Sequence, residues 1–191
     1  MAIRIKSHWL TEKADQEDPQ ALKANGDALA FIAWRLAMDK AKTLHGEKFD
    51  YETDGQRIAV IAEYLAFMVQ IADRLVYEQL SDEARAQLIT ALGKKLAVHV
   101  QDNLPDFFGE ADYATPFIAT LNQRLADYAD FEFQNEQPGY AFLRYFGEKI
   151  QQIMGQSQTN RWVINQVMER DGPEVANKFQ QALYNLLGLN D

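Results

Sequence analysis

The chain has 191 residues, no cysteine, 47% hydrophobic residues and a formal net charge of −9. That length fits one domain able to bury about 70% of the surface its unfolded chain would expose, so no disulfide or structural metal is needed as a staple. The charge is concentrated: between Asp102 and Glu136 there are eight acids (Asp102, Asp106, Glu110, Asp112, Asp127, Asp130, Glu132 and Glu136) and one base, Arg124, a field that repels nucleic acid.

The opening MAIRIKSHWL has no apolar core of signal-peptide length, and Arg4 and Lys6 interrupt what there is. The longest apolar run, Ile58 to Ala72, contains Glu63 and Gln70 and falls short of the roughly 20 residues that cross a bilayer. A cytoplasmic protein without a membrane span is expected. Residues 1 to 17 alternate briefly and then become polar, which suggests a short arm ahead of a single helical domain over 18 to 191. Ile3, Ile5, Trp9 and Leu10 would anchor such an arm on its own domain or on a partner subunit.

Asp18-Pro19 can open a helix, with Asp as N-cap and Pro in the first turn, and Asn25-Gly26 would break or kink it. From Asp27 the recurrence of Leu29, Ile32, Ala33, Leu36 and Ala37 predicts a helix that Gly46 ends. A polar connection, pinned by Phe49 and Tyr51, leads to the stretch on which the expected architecture rests. Sixteen of the twenty residues from Ile58 to Tyr77 are apolar. On a helix of about 100° per residue, Gln56, Glu63, Gln70, Asp73, Arg74 and Tyr77 share one arc of roughly 100°, and the remaining 260° or so is apolar. The spacing predicts a central, buried helix over about 54 to 79, in an all-α bundle of six or seven helices.

Ser81 caps the next helix, with Asp82 and Glu83 in its first turn and Ile89, Leu92, Leu96 and Val100 as its buried stripe, until Pro105 stops it. From Phe107 to Phe146 lie eleven of the chain's twenty-two aromatic residues. Thr115-Pro116 predicts a helix start, Gln137-Pro138-Gly139 a turn, and Tyr140 to Met154 a further helix. Asp171-Gly172-Pro173 is expected to split the last segment in two.

No motif assigns a chemistry. Carboxylate-bridged dimetal bundles use two Glu-x-x-His pairs, because residues at i and i+3 point the same way into the core. None of the thirteen Glu residues has a His three places later, and only His8, His45 and His99 are present; no metal site and no cofactor are expected. There is no nucleophile elbow and no phosphate-cradling glycine loop. Two functional readings follow. In the first, the chain is an interaction or regulatory module, homodimeric, whose acidic face carries Phe107, Phe108, Tyr113, Phe131 and Phe133 and selects a basic protein partner. In the second, it is a small-molecule-binding protein or enzyme using a pocket formed by Glu63, Gln70, Asp73 and Arg74 with Arg124 and Arg144, where the arginines would hold an anionic group.

Overall fold

A computed structural model describes residues 17–47 and 49–189. The expected N-terminal arm lies outside them except for Glu17, whose carboxylate accepts from Ser81 N–H and Oγ at 2.9 and 3.0 Å. The fold is an all-α single domain of six helices: α1 (Pro19–Gly46), α2 (Asp54–Val76), α3 (Asp82–Asn103), α4 (Ala114–Tyr128), α5 (Tyr140–Met154) and α6 (Gly172–Leu187). A single helical turn, Pro105–Phe108, follows α3. No helix among the described residues is long and apolar enough to cross a membrane.

Capping side chains start the first three helices. Asp18 accepts from Ala21 N–H at 2.9 Å, Thr53 from Gln56 N–H at 3.2 Å and Ser81 from Ala84 N–H at 3.3 Å, each satisfying an amide that has no intrahelical partner. At α4 the expected Thr-Pro start is displaced two residues back, to Tyr113 as N-cap and Ala114 as the first residue, and Asp112 accepts from Thr115 N–H at 3.0 Å. Gln101 of α3 takes the amides of Tyr113 and Ala114 at 3.0 and 3.2 Å, tying the start of α4 to the preceding helix.

Helix α2 buries fourteen of its twenty-three residues and packs against α1, α3, α4, α5 and α6. Its apolar girth is why so many neighbours are needed. On one side Phe67 stacks on Phe146 with ring centroids 4.2 Å apart and meets Phe142 edge-on at 5.6 Å. Tyr128 of α4 stacks on Phe142 at 4.4 Å, so α2, α4 and α5 share one aromatic core.

Three local expectations are corrected. Gly26 does not break α1, which runs through it without interruption. A β-carbon there would sit 2.8 Å from Ala91 Cβ and 3.0 Å from Leu92 N, so glycine lets α1 lie close along α3. Residues 133 to 138 form a small antiparallel hairpin, Phe133 opposite Pro138 and Gln134 opposite Gln137, turned by Asn135 and Glu136 at φ 50° and 60°. Asp171-Gly172-Pro173 does not split the last segment either. Val163–Gln166, Val167–Asp171 and α6 follow without a break, the middle turn being a wider π turn in which Gly172 N–H donates to Val167 O. Pro173 has no N–H to give to the preceding turn, and the wide turn absorbs the missing bond where an α turn would be strained.

The close approach at Gly26 has a measurable consequence. Gly26→Ala would gain up to about 1 kcal/mol of helix propensity, yet the added carbon collides with Ala91, which has no flexible end to yield. The expected net effect is a loss of about 1 to 3 kcal/mol in denaturant unfolding.

Candidate functional site

Of the polar arc, Tyr77 is 58% exposed and Gln56 turns back to Glu52 N–H, whereas Glu63, Gln70, Asp73 and Arg74 are buried or half-buried among other elements. Glu63 is 2% exposed and is gripped by Arg124 of α4. Arg124 Nε donates to both Glu63 oxygens at 3.0 and 2.8 Å, and Nη2 to Oε1 at 2.7 Å. Nη1 donates to Asp127 Oδ2 at 3.1 Å, and the Tyr145 hydroxyl donates to the same oxygen. The Glu63 contact holds the Arg124 guanidinium pKa above its ordinary value, against the opposing effect of burial. Burial pushes the Tyr145 hydroxyl up, and its bond to Asp127 adds to this. Burial alone would raise Asp127, but its bonds from Tyr145, Gln123 and Arg124 outweigh that and hold the carboxyl below the usual range. Every strong acceptor and donor in this cluster is thereby used within the protein, so Glu63 and Arg124 form an internal tie between α2 and α4.

One residue further on, Tyr64 points to the opposite side and donates to Asp171 Oδ2 at 3.0 Å. Asp171 also accepts from Lys40 Nζ at 3.0 Å, and Lys40 donates to Glu174 at 2.6 Å. Lys40 and Asp171 are 5% and 2% exposed. Desolvation lowers the Lys40 pKa, but the bonds to Glu174 and Asp171 prevail and leave it raised. The π turn places Asp171 here, so the backbone irregularity and the buried pair belong together. Sequence reasoning missed this cluster. The legible signal was Lys40 itself, a cation in the stripe Ala33, Ala37, Ala41, Leu44, where a buried charge demands a partner.

The remaining arc residues, Gln70, Asp73 and Arg74, line a cleft of about 850 Å³ between the end of α2, the start of α3, the end of α4 and the hairpin. Asp73 is closed by Arg85 of α3, whose Nε and Nη2 donate to its two oxygens at 2.7 and 2.8 Å. The Arg85 guanidinium also lies 4.7 Å over the ring of Tyr77. Arg74 uses one nitrogen, Nη2, to donate to the carbonyls of Tyr128 and Phe131 at 3.0 and 3.2 Å and to that of Ala129, capping the end of α4 with a cation. Gln70 is 3% exposed and lines the cleft, and its carboxamide, which bonds no described residue, stays open to it. Arg85 was not anticipated. Its place four residues before Ile89 on the face turned to α2 was visible, but the bond to Asp73 depends on how the two helices pack.

The expected pocket is thus divided. Gln70, Asp73 and Arg74 are brought together in the cleft, and Glu63 and Arg124 are joined to each other. Arg144 stands apart, exposed, donating to Glu148 at 2.7 Å beside a separate cavity of about 540 Å³. The expected aromatic face is divided too. Phe107 is 63% exposed, whereas Tyr113 is 9% exposed and donates its hydroxyl to Gly109 O at 2.8 Å. Phe108, Phe131 and Phe133 are half-buried against the core. Phe131 meets Tyr145 at 5.2 Å and Phe133 meets Phe142 at 6.1 Å. Among the described residues no group of three or more His, Cys, Asp or Glu is placed to hold a metal ion. Comparison with protein-family models, with curated proteins and with solved structures finds no match.

The Glu63–Arg124–Asp127 cluster makes two expectations. Arg124→Ala leaves Glu63 buried without its cation and should cost about 3 to 5 kcal/mol in chemical unfolding. A carboxyl held below its unfolded value, ordinarily about 3.9 for Asp, adds stability that is present above that pH and lost as the folded form protonates. The stability difference between the parent protein and Asp127→Asn should therefore be largest at neutral pH and shrink on acidification below about pH 4, which thermal melts across an acid series would show.

Proposed function

We propose that this protein binds a small polar molecule in the cleft at the end of α2, with α2 as the buried central helix about which the bundle is organised. The observation that carries the reading is Gln70. Its carboxamide has no hydrogen-bond partner among the described residues and stays accessible from the cleft, where water or a ligand can meet it. The other buried polar side chains of α2, Glu63 and Tyr64, are fully answered by neighbouring helices. An unanswered amide on the wall of a cleft whose volume lies within the range of small-ligand sites is what a binding residue looks like before its ligand arrives.

The cleft wall supports binding by shape as well. Leu75, Ile89, Leu125 and Phe133 supply apolar surface, while Gln70, Arg74 and the closed Asp73–Arg85 pair supply polar groups held on helices. The interaction-face reading draws on Phe107, the most exposed of its five rings, beside Asp106 and Glu110. It has less support, because Tyr113, Phe131 and Phe133 turn toward the core.

Gln70→Leu separates these readings. If Gln70 serves a ligand, the apolar substitute should leave the thermal midpoint unchanged or raise it, by an amount corresponding to about 1 kcal/mol. It should also abolish the stabilisation that a metabolite library gives the parent protein. A midpoint that falls by several degrees would instead mark Gln70 as a structural residue, and the binding reading would lose its support.

A further inference from the structure

We infer that the molecule held in this cleft is a small zwitterion, carrying a carboxylate toward the closed end and an ammonium toward the mouth; this rests on the binding reading above. The inference comes from the order of groups along one face. Gln70 and Arg74 are four residues apart on α2 and stand on successive turns of one face, about 6 Å apart along the axis, and Glu78 follows just past the helix end. All three line the cleft.

At the inner end the one charged group with free donors is Arg74, which spends only Nη2 on the carbonyls closing α4 and bonds no described residue through Nε or Nη1. Beside it Gln70 offers amide N–H groups together with its carbonyl oxygen. The neighbouring ion pair does not alter this balance, because both Asp73 oxygens are taken by Arg85. A guanidinium edge beside a carboxamide suits a carboxylate.

At the mouth the unpaired charges have the opposite sign. Glu78 and Glu136 are both exposed and line the cleft, Glu136 from the turn of the hairpin. Glu136 accepts from Gln180 at 2.9 Å, and neither acid forms an ion pair with a described residue. A simple anion would be repelled at the mouth, and a simple cation would meet Arg74 inside. A molecule with both charges, one at each end of a short chain, satisfies each end and leaves its carbon chain along Leu75, Leu125 and Phe133.

Three probes of matched length test this by calorimetric titration of the full chain: δ-aminovalerate, pentylamine and pentanoate. The zwitterion should bind about tenfold or more tightly than either analogue, since each analogue gives up one charge-assisted contact. In the Glu78→Gln/Glu136→Gln double variant, whose changes are both on the surface, δ-aminovalerate should fall to the affinity of pentanoate. Arg74→Gln should bring it to that of pentylamine. Equal affinity for the zwitterion and one single-charge probe, or an affinity the double variant leaves unchanged, would overturn the zwitterion assignment and leave the cleft a binding site. Failure of all three probes would also overturn it, and the Gln70→Leu result would then decide separately whether the cleft binds anything.

Discussion

A buried polar side chain on a packed helix needs an answer from another element, and α2, which buries fourteen of its twenty-three residues, carries several. Glu63 and Tyr64 are adjacent in sequence and 2% and 0% exposed. Consecutive residues on a helix diverge by about 100°, so the two cannot share a partner. Glu63 reaches α4 through Arg124, and Tyr64 reaches the π turn before α6 through Asp171. An unpaired charge in either place would be far more costly than a misplaced methylene. These two contacts therefore fix the rotation of α2 between its neighbours more sharply than the surrounding leucines can. Apolar packing brings the helices together, and the buried polar groups select one arrangement among those that packing permits.

The irregular end of the chain follows from the same constraint. Lys40 lies on the inward face of α1, and its ammonium must be met inside the protein. A regular helix through residues 163 to 187 would have to accommodate Pro173 against the turn before it. The wide turn at Val167–Asp171 does so and presents Asp171 to both Lys40 and Tyr64. Close contact is possible there because Gly172 has no β-carbon; one would lie 2.9 Å from the backbone carbonyl oxygen of Val167. Backbone deviation, missing side chain and buried ion pair are thus parts of one local solution.

What could be read in advance divides along physical lines. Caps are local, and Asp18 and Ser81 act as the sequence suggests. Apolar periodicity is also local, and it locates the buried faces of α1, α2 and α3. Partnership is not local. Periodicity shows that Gly26 interrupts a pattern, but only the approach of Ala91 and Leu92 shows that the interruption is a contact and not a break. Similarly, Phe131 and Phe133 sit just past a helix end, where sequence alone suggests exposure. The hairpin turned by Asn135 and Glu136 folds them back toward Phe142, and those two φ angles are decided by tertiary structure. Of the six residues expected in a pocket, Gln70, Asp73 and Arg74 were legible as a group because they share one helical face. Arg124 and Arg144 lie on other helices, and no spacing rule relates them to α2.

The contrast between Glu63 and Gln70, two turns apart on the same face, bears most directly on function. Glu63 with Arg124 satisfies its hydrogen bonding within the protein, and a ligand would have to break a buried ion pair to use either group. In the proposed binding role Gln70 would give up no bond to a described residue, because its carboxamide makes none among them. Binding free energy at such a group is not reduced by the loss of an internal contact. Arg74 occupies a middle position, with one nitrogen committed to the end of α4 and the others uncommitted, so it can serve a ligand without releasing that helix. The closed pair of Asp73 and Arg85 holds the wall between them in register. The frame of the cleft is thus held by internal ties, and the polar side chains left on its wall are few.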